Sequence, residues 1–189
     1  ILFKQDFLLL RDYFKAYGLL KSNKMDKSKS IYFKGFDIST LVAMYFNKEN
    51  TMNYRAVLDY CSIKGLKEAG IKVHKFIDWY EAQPIDKALI YGFHKYYPNT
   101  QIAGYMGYST SLKYNFHLCP TDYEVNRNVV PDVIYTNGGR VNDEIRRFDP
   151  NIRIIKGPAF RSAISEHIEK KSDSFKILVL MSIGMKDSK

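Results

Sequence analysis

The chain has 189 residues with 29 Lys and Arg against 20 Asp and Glu, a net charge of +9. That length suffices for one good core, or for one domain and the start of another. No apolar run reaches the roughly 18 residues of a membrane-spanning helix, and two cysteines, Cys61 and Cys119, make neither a disulfide framework nor a metal-ligand spacing. Reduced thiols in the cytoplasm are the simplest expectation. The positive charge suits an anionic partner: nucleic acid, anionic lipid headgroups or a nucleotide-bearing substrate. Its densest part, Lys21, Lys24, Lys27, Lys29 and Lys34, equally fits a solvated loop.

The first third reads as helical. Over Gln5–Tyr17, Phe7, Leu8, Leu10, Phe14 and Tyr17 recur near helical period, and Gly18 offers a stop. Residues 23–30 are polar and Lys-rich, a loop by composition. Ser39 or Thr40 can cap a short helix through Phe46. A longer helix from Asn53 ends at Gly70, a plausible C-terminal glycine.

From Ile71 strands and helices alternate. Strands are expected at Ile71–Ile77, Gln101–Tyr105, Asp132–Asn137 and Arg153–Ile155. Helices are expected at Pro84–Tyr97, from Thr121 through a Thr-x-x-Glu capping box, at Arg140–Arg147 and at Ala159–Lys170. This order argues for an α/β fold with a parallel, Rossmann-like sheet, helices on both faces and a helical amino-terminal portion. Residues 1–172 form that unit. Residues 173–189, a polar linker and the apolar run Phe175–Ile183, read as the first strand of a second α/β domain; a last strand of the same sheet is the alternative.

Chemistry concentrates where strands hand over to helices, the edge at which open α/β sheets bind ligands. Glu81 and Gln83 follow the first strand. A carboxylate there is either a helix-start charge or a general base, and the Gln83 amide suits sugar hydroxyls. Tyr105 and Tyr108, in Gly104–Thr110, can stack on a sugar ring or serve a plain turn. Asn137, Gly138 and Arg140 form either an anion site or an ordinary turn. Arg161, in a first helical turn, opposes the macrodipole and asks for a bound anion or a carboxylate. His74, His94, His117 and His167 show no metal-ligand spacing. No dinucleotide glycine motif, nucleophile elbow or nucleic-acid-binding motif appears.

The segments Glu81–Ala88, Tyr96–Tyr105, Cys119–Glu124, Pro131–Gly138 and Gly157–Arg161 together resemble bacterial surface-carbohydrate (lipopolysaccharide and capsule) biosynthesis proteins of the GT-B glycosyltransferase type. The likeness covers about Ile71 to Lys189. It implies two Rossmann-like domains facing a cleft, with this chain as the amino-terminal, acceptor-side half. It further implies Glu81 as base, a nucleotide-sugar donor held by the other domain, and no separate cofactor. A sugar or lipid-linked saccharide would be the acceptor, with peripheral contact at an anionic inner membrane and no nucleic-acid partner. A non-catalytic carbohydrate- or nucleotide-binding module is the alternative.

Overall fold

The computed structural model describes residues 3–22, 30–48, 50–107, 119–139, 141–147 and 149–158. A 3-10 turn at Lys4–Phe7 leads into α1 (Leu10–Ser22), a two-residue-stranded hairpin β1 (Tyr32–Phe33) and β2 (Phe36–Asp37), α2 (Ser39–Lys48) and α3 (Asn50–Glu68). The alternating part follows as β3 (Lys75–Trp79), α4 (Pro84–Tyr96), β4 (Gln101–Met106), α5 (Asp122–Asn126), β5 (Val133–Asn137), α6 (Asn142–Arg146) and β6 (Ile154–Gly157).

Four strands make one all-parallel sheet in the order β3-β4-β5-β6. The register aligns Trp79 with Tyr105, Tyr105 with Tyr135, and Tyr135 with Ile155. The molecule is therefore α/β, with a parallel sheet flanked by helices; the alternating pattern predicts helices on both faces, but the described connecting helices pack on one. Strand order follows chain order, so right-handed crossovers place the connecting helices on a single face. That face carries Phe76, Ile102, Met106, Ile134 and Ile154, which pack with Ile90 and Phe93 of α4, Val125 of α5 and Ile145 of α6. On the opposite face Ile77 is exposed, while Ala103, Tyr105 and Val133 are buried. The helix expected at Ala159–Lys170 and the strand expected at Phe175–Ile183 lie outside the described residues.

The core is anchored by the Phe76 and Phe93 rings, stacked with centroids 4.2 Å apart. Each large apolar side chain fully buried here contributes about 1.5–3 kcal/mol. α3 packs along α4, where Gly92 lets Ile63 approach closely, and the Lys4 ammonium ties the amino-terminal turn to buried Asp59 of α3 at 2.6 Å.

The boundaries of β3 and α1 depart furthest from the pattern. β3 starts at Lys75 rather than Ile71, because the Ile71 N–H and the Ile71 and Val73 carbonyls are already used. Leu66 O accepts from the Ile71 N–H, Ile71 O from the Tyr97 hydroxyl, and Val73 O from the Thr100 hydroxyl. α1 starts later and passes Gly18 to end at Ser22; an exposed mid-helix glycine costs only about 1 kcal/mol. Leu10, Phe14 and Tyr17 of its apolar repeat face solvent, and Ala16 is the buried residue. Gly70 does close the α3 segment in the left-handed region (φ +73°).

Gly104 sits where β4 passes beneath the β3–α4 turn. A Cβ there would lie 2.7 Å from Pro131 Cγ and 2.9 Å from Tyr80 Cβ. Gly104→Ala is expected to cost about 1–3 kcal/mol by overpacking, read as a lower urea midpoint with an unchanged slope.

Candidate functional site

The turn from β3 to α4 is built around one carboxylate. Asp86, third residue of α4, is buried, and its Oδ2 accepts from the backbone N–H of Glu81 (2.8 Å) and of Gln83 (3.0 Å). Pro84 fills the first helical position, where no N–H is missed. Between the two N–H groups Ala82 adopts φ +54°, uncommon for a residue with a Cβ. The carboxylate thus compensates a strained turn and caps the helix together.

The turn presents Glu81, half-buried, at the carboxyl edge of the sheet. Its Oε1 accepts from the Trp79 indole N–H (2.8 Å), and its Oε2 accepts from the Gln83 side-chain amide (2.6 Å). One donor comes from the strand and the other from the helix cap, so the carboxylate orientation is set from both elements. Each oxygen keeps a further lone-pair direction for another donor.

Neighbouring strands extend this edge. The Trp79 ring meets Tyr105 edge-on, with centroids 5.4 Å apart. Tyr105 is buried, and its hydroxyl donates to Pro158 O after β6 (2.7 Å). Asn137 ends β5, with its amide 3.5 Å from Gly107 O. Gly138 follows at φ +72°. Five sequence-predicted residues, Glu81, Gln83, Tyr105, Asn137 and Gly138, therefore share one sheet edge. Tyr108, Arg140 and Arg161 lie outside the described residues.

Two further acids lie beneath Glu81. Asp78 points to the α4 face, and burial pushes its pKa up to about 6, with Asp86 and Glu81 adding repulsion against a backbone N–H bond from Trp79. Its Oδ2 is buried without a hydrogen-bond partner. Burial also raises Asp86, partly offset by its two N–H bonds. Glu124 moves the other way. Burial works to raise it, but ion pairing with Lys87 and the Thr121 N–H outweigh that and lower it. Thr121 and Glu124 form the predicted capping box.

Of the remaining candidates, His94 serves structure. His94 bridges Asn128 O (2.9 Å) and Asp132 Oδ1 (3.0 Å) beside the amino-terminal ends of the strands. His74 is exposed, and His117 and His167 lie outside the described residues. Cys61 and Cys119 are buried free thiols, raised by burial, Cys119 to about 11. Among the described residues no three His, Cys, Asp or Glu side chains group as metal ligands. The two cavities near the amino-terminal strand ends, of about 260 and 420 Å³, are lined around His94 and Asp149 and around His74 and Tyr97, away from Glu81. Trp79 and Asp78 are the site residues that the pattern of motifs alone does not assign, the Asp-Trp-Tyr-Glu order ahead of Pro84 being their only signal; Asp86, expected from sequence to face solvent or to cap, caps.

No protein-family model, curated protein or solved structure matches the chain.

Two measurements check this geometry. Asp78 binds a proton more tightly folded than unfolded, so its contribution to stability declines as pH rises from about 4 through about 6. Asp78→Asn is expected to remove that decline and to raise the urea midpoint at pH 7.5 relative to the parent. Second, a Cβ on Gly107 would lie 2.2 Å from the Trp79 ring. Gly107→Ala is expected to displace the indole, break its bond to Glu81 and cost about 1–3 kcal/mol. The chain has a single tryptophan, so its emission maximum reports the displacement directly as a red shift.

Proposed function

We propose that the chain is the acceptor-side half of a GT-B-type glycosyltransferase, which moves a sugar from a nucleotide-sugar to a surface polysaccharide or lipopolysaccharide acceptor. The observation that carries this reading is Glu81, a carboxylate at the carboxyl edge of a parallel sheet with each oxygen oriented by a separate donor. A base must hold a fixed direction within hydrogen-bond reach of the proton it takes. Trp79 and Gln83 supply that direction and leave lone pairs open toward the edge.

In this reading Glu81 removes the proton of an acceptor hydroxyl as its oxygen attacks the anomeric carbon. The bond to the nucleotide phosphate breaks, and the electron pair leaves with the phosphate. Helix N-termini and cations of a donor-side domain stabilise that charge. Gln83 holds an acceptor hydroxyl, while Asn137 and Gly138 border the path toward the donor; Arg140 and Arg161 are assigned to the same anionic side by sequence. The reaction takes the nucleotide-sugar as substrate, with no further cofactor. The acceptor is a sugar or lipid-linked saccharide at the cytoplasmic side of the membrane.

Glu81→Gln in the intact protein tests this reading against a panel of nucleotide-sugars and lipid-linked acceptors. Turnover is expected to fall by about 10²–10⁴, with an unchanged thermal melt. Undiminished turnover with a matched acceptor removes Glu81 from the role. Saccharide binding without transfer from any donor would instead identify a non-catalytic binding module.

A further inference from the structure

We infer that the groove where α1, α3 and α4 meet binds a small aromatic carboxylate. Its described lining includes neither Glu81 nor Gln83, so this site stands or falls independently of the proposed transfer reaction.

The groove holds about 340 Å³, within the range of ordinary small-molecule sites. Helical spacing brings its lining together. Ala88, Tyr91 and Lys95, at i, i+3 and i+7, share one side of α4 and meet Ala56, Val57 and Tyr60 of α3. The small side chains at Ala56, Val57 and Ala88 leave room beside two larger rings. Those rings, Tyr60 and Tyr91, stack with centroids 5.7 Å apart and 27° between their planes. A wall of paired rings next to a small apolar floor accepts a further flat ring by offset stacking.

Two cations select the charge on that ring. Lys15 of α1 and Lys95 of α4 both line the groove, and its described lining holds no acid. The Lys95 ammonium donates to the Tyr60 hydroxyl at 3.0 Å. It sits 5.5, 5.7 and 5.6 Å from the centroids of the Tyr60, Tyr91 and Tyr96 rings. Three rings and a hydroxyl thus hold the charge in place, and an ammonium has two further N–H bonds to give. The Tyr60 hydroxyl also pairs with that of Tyr96 at 2.7 Å. Burial works to raise the Tyr60 phenol, but its bonds to Lys95 and Tyr96 and the Lys95 and Lys15 charges outweigh it and lower it. Both ammonium groups are therefore felt at one hydroxyl in the groove. Among the described residues neither has a carboxylate within ion-pair distance. A carboxylate carried by the bound ring supplies that partner. A phosphate dianion suits the groove less, because its stronger hydration is lost against an apolar floor.

The test is isothermal titration calorimetry of the full chain with naphthoate, its neutral counterpart naphthamide, and octanoate. Naphthoate is expected to bind about fivefold to tenfold more tightly than naphthamide, because charge-assisted bonds replace neutral ones. It is also expected to bind more tightly than octanoate, which cannot stack. Lys95→Met and Lys15→Met keep an unbranched apolar stem and remove the charge. Each is expected to weaken naphthoate by about fivefold and to leave naphthamide within about twofold. Ala88→Leu fills the floor and is expected to weaken both aromatic probes by ~10-fold or more. Circular dichroism and thermal melts check that each variant keeps its fold; Lys15 and Lys95 are exposed, so their variants decide the matter even if Ala88→Leu does not fold. Four results overturn the inference: no saturable naphthoate binding, equal affinity for acid and amide, tighter binding of octanoate, or naphthoate affinity unchanged in both lysine variants. Sedimentation velocity showing self-association that Ala88→Leu abolishes would also overturn it, by assigning the groove to a second copy of the chain.

Discussion

Two backbone N–H groups converging on one oxygen of Asp86 organise the functional edge of this molecule. Without that acceptor, the turn between β3 and α4 would leave both donors unsatisfied beside a buried helix start, each at roughly 1–3 kcal/mol. With it, the chain tolerates a left-handed alanine and reaches α4 within four residues. The carboxylate is itself costly to bury, and its raised proton affinity records that cost. The two hydrogen bonds offset the burial without cancelling it, which is the balance expected of a charged group that caps a helix from within.

From that turn the edge is assembled by packing rather than by further charge. The Trp79 ring rests on Tyr105, and Tyr105 reaches past β5 to the carbonyl of Pro158 beyond β6. Gly107 leaves room for the indole. The aromatic rings thus connect the first and last strands of the described sheet while the polar ends of their side chains make directed bonds, the arrangement for which Trp and Tyr are suited. Asp78 and Asp86 lie on the α4 face, where burial raises both, and Glu81 stands half-buried at the rim.

Much of the fold was legible in the sequence. Alternating apolar runs located β4, β5 and β6 to within a residue or two, Pro84 and Pro98 bracketed α4, and Thr121 with Glu124 announced α5. Where the reading slipped, side chains had intervened. Tyr97 and Thr100 take the carbonyls of Ile71 and Val73, and so deny them to a strand. The usual capping signature demands Ser or Thr at the cap, yet here Asp12 reaches back to the N–H of Leu9 and Asp86 to that of Gln83, with no hydroxyl at either position. Helical period identified the apolar row of α1 correctly but could not say which side of the helix meets the core. For the candidate site, chain order placed Glu81 and Gln83 at a sheet edge. The bonds that orient Glu81 depend on side-chain directions that spacing does not encode.

Glu81 joins a strand residue on one oxygen and a helix-cap residue on the other. It is therefore a gauge of how α4 lies against the sheet. A slide of the helix by even a fraction of a turn would separate the two donors, and the carboxylate could follow only one of them.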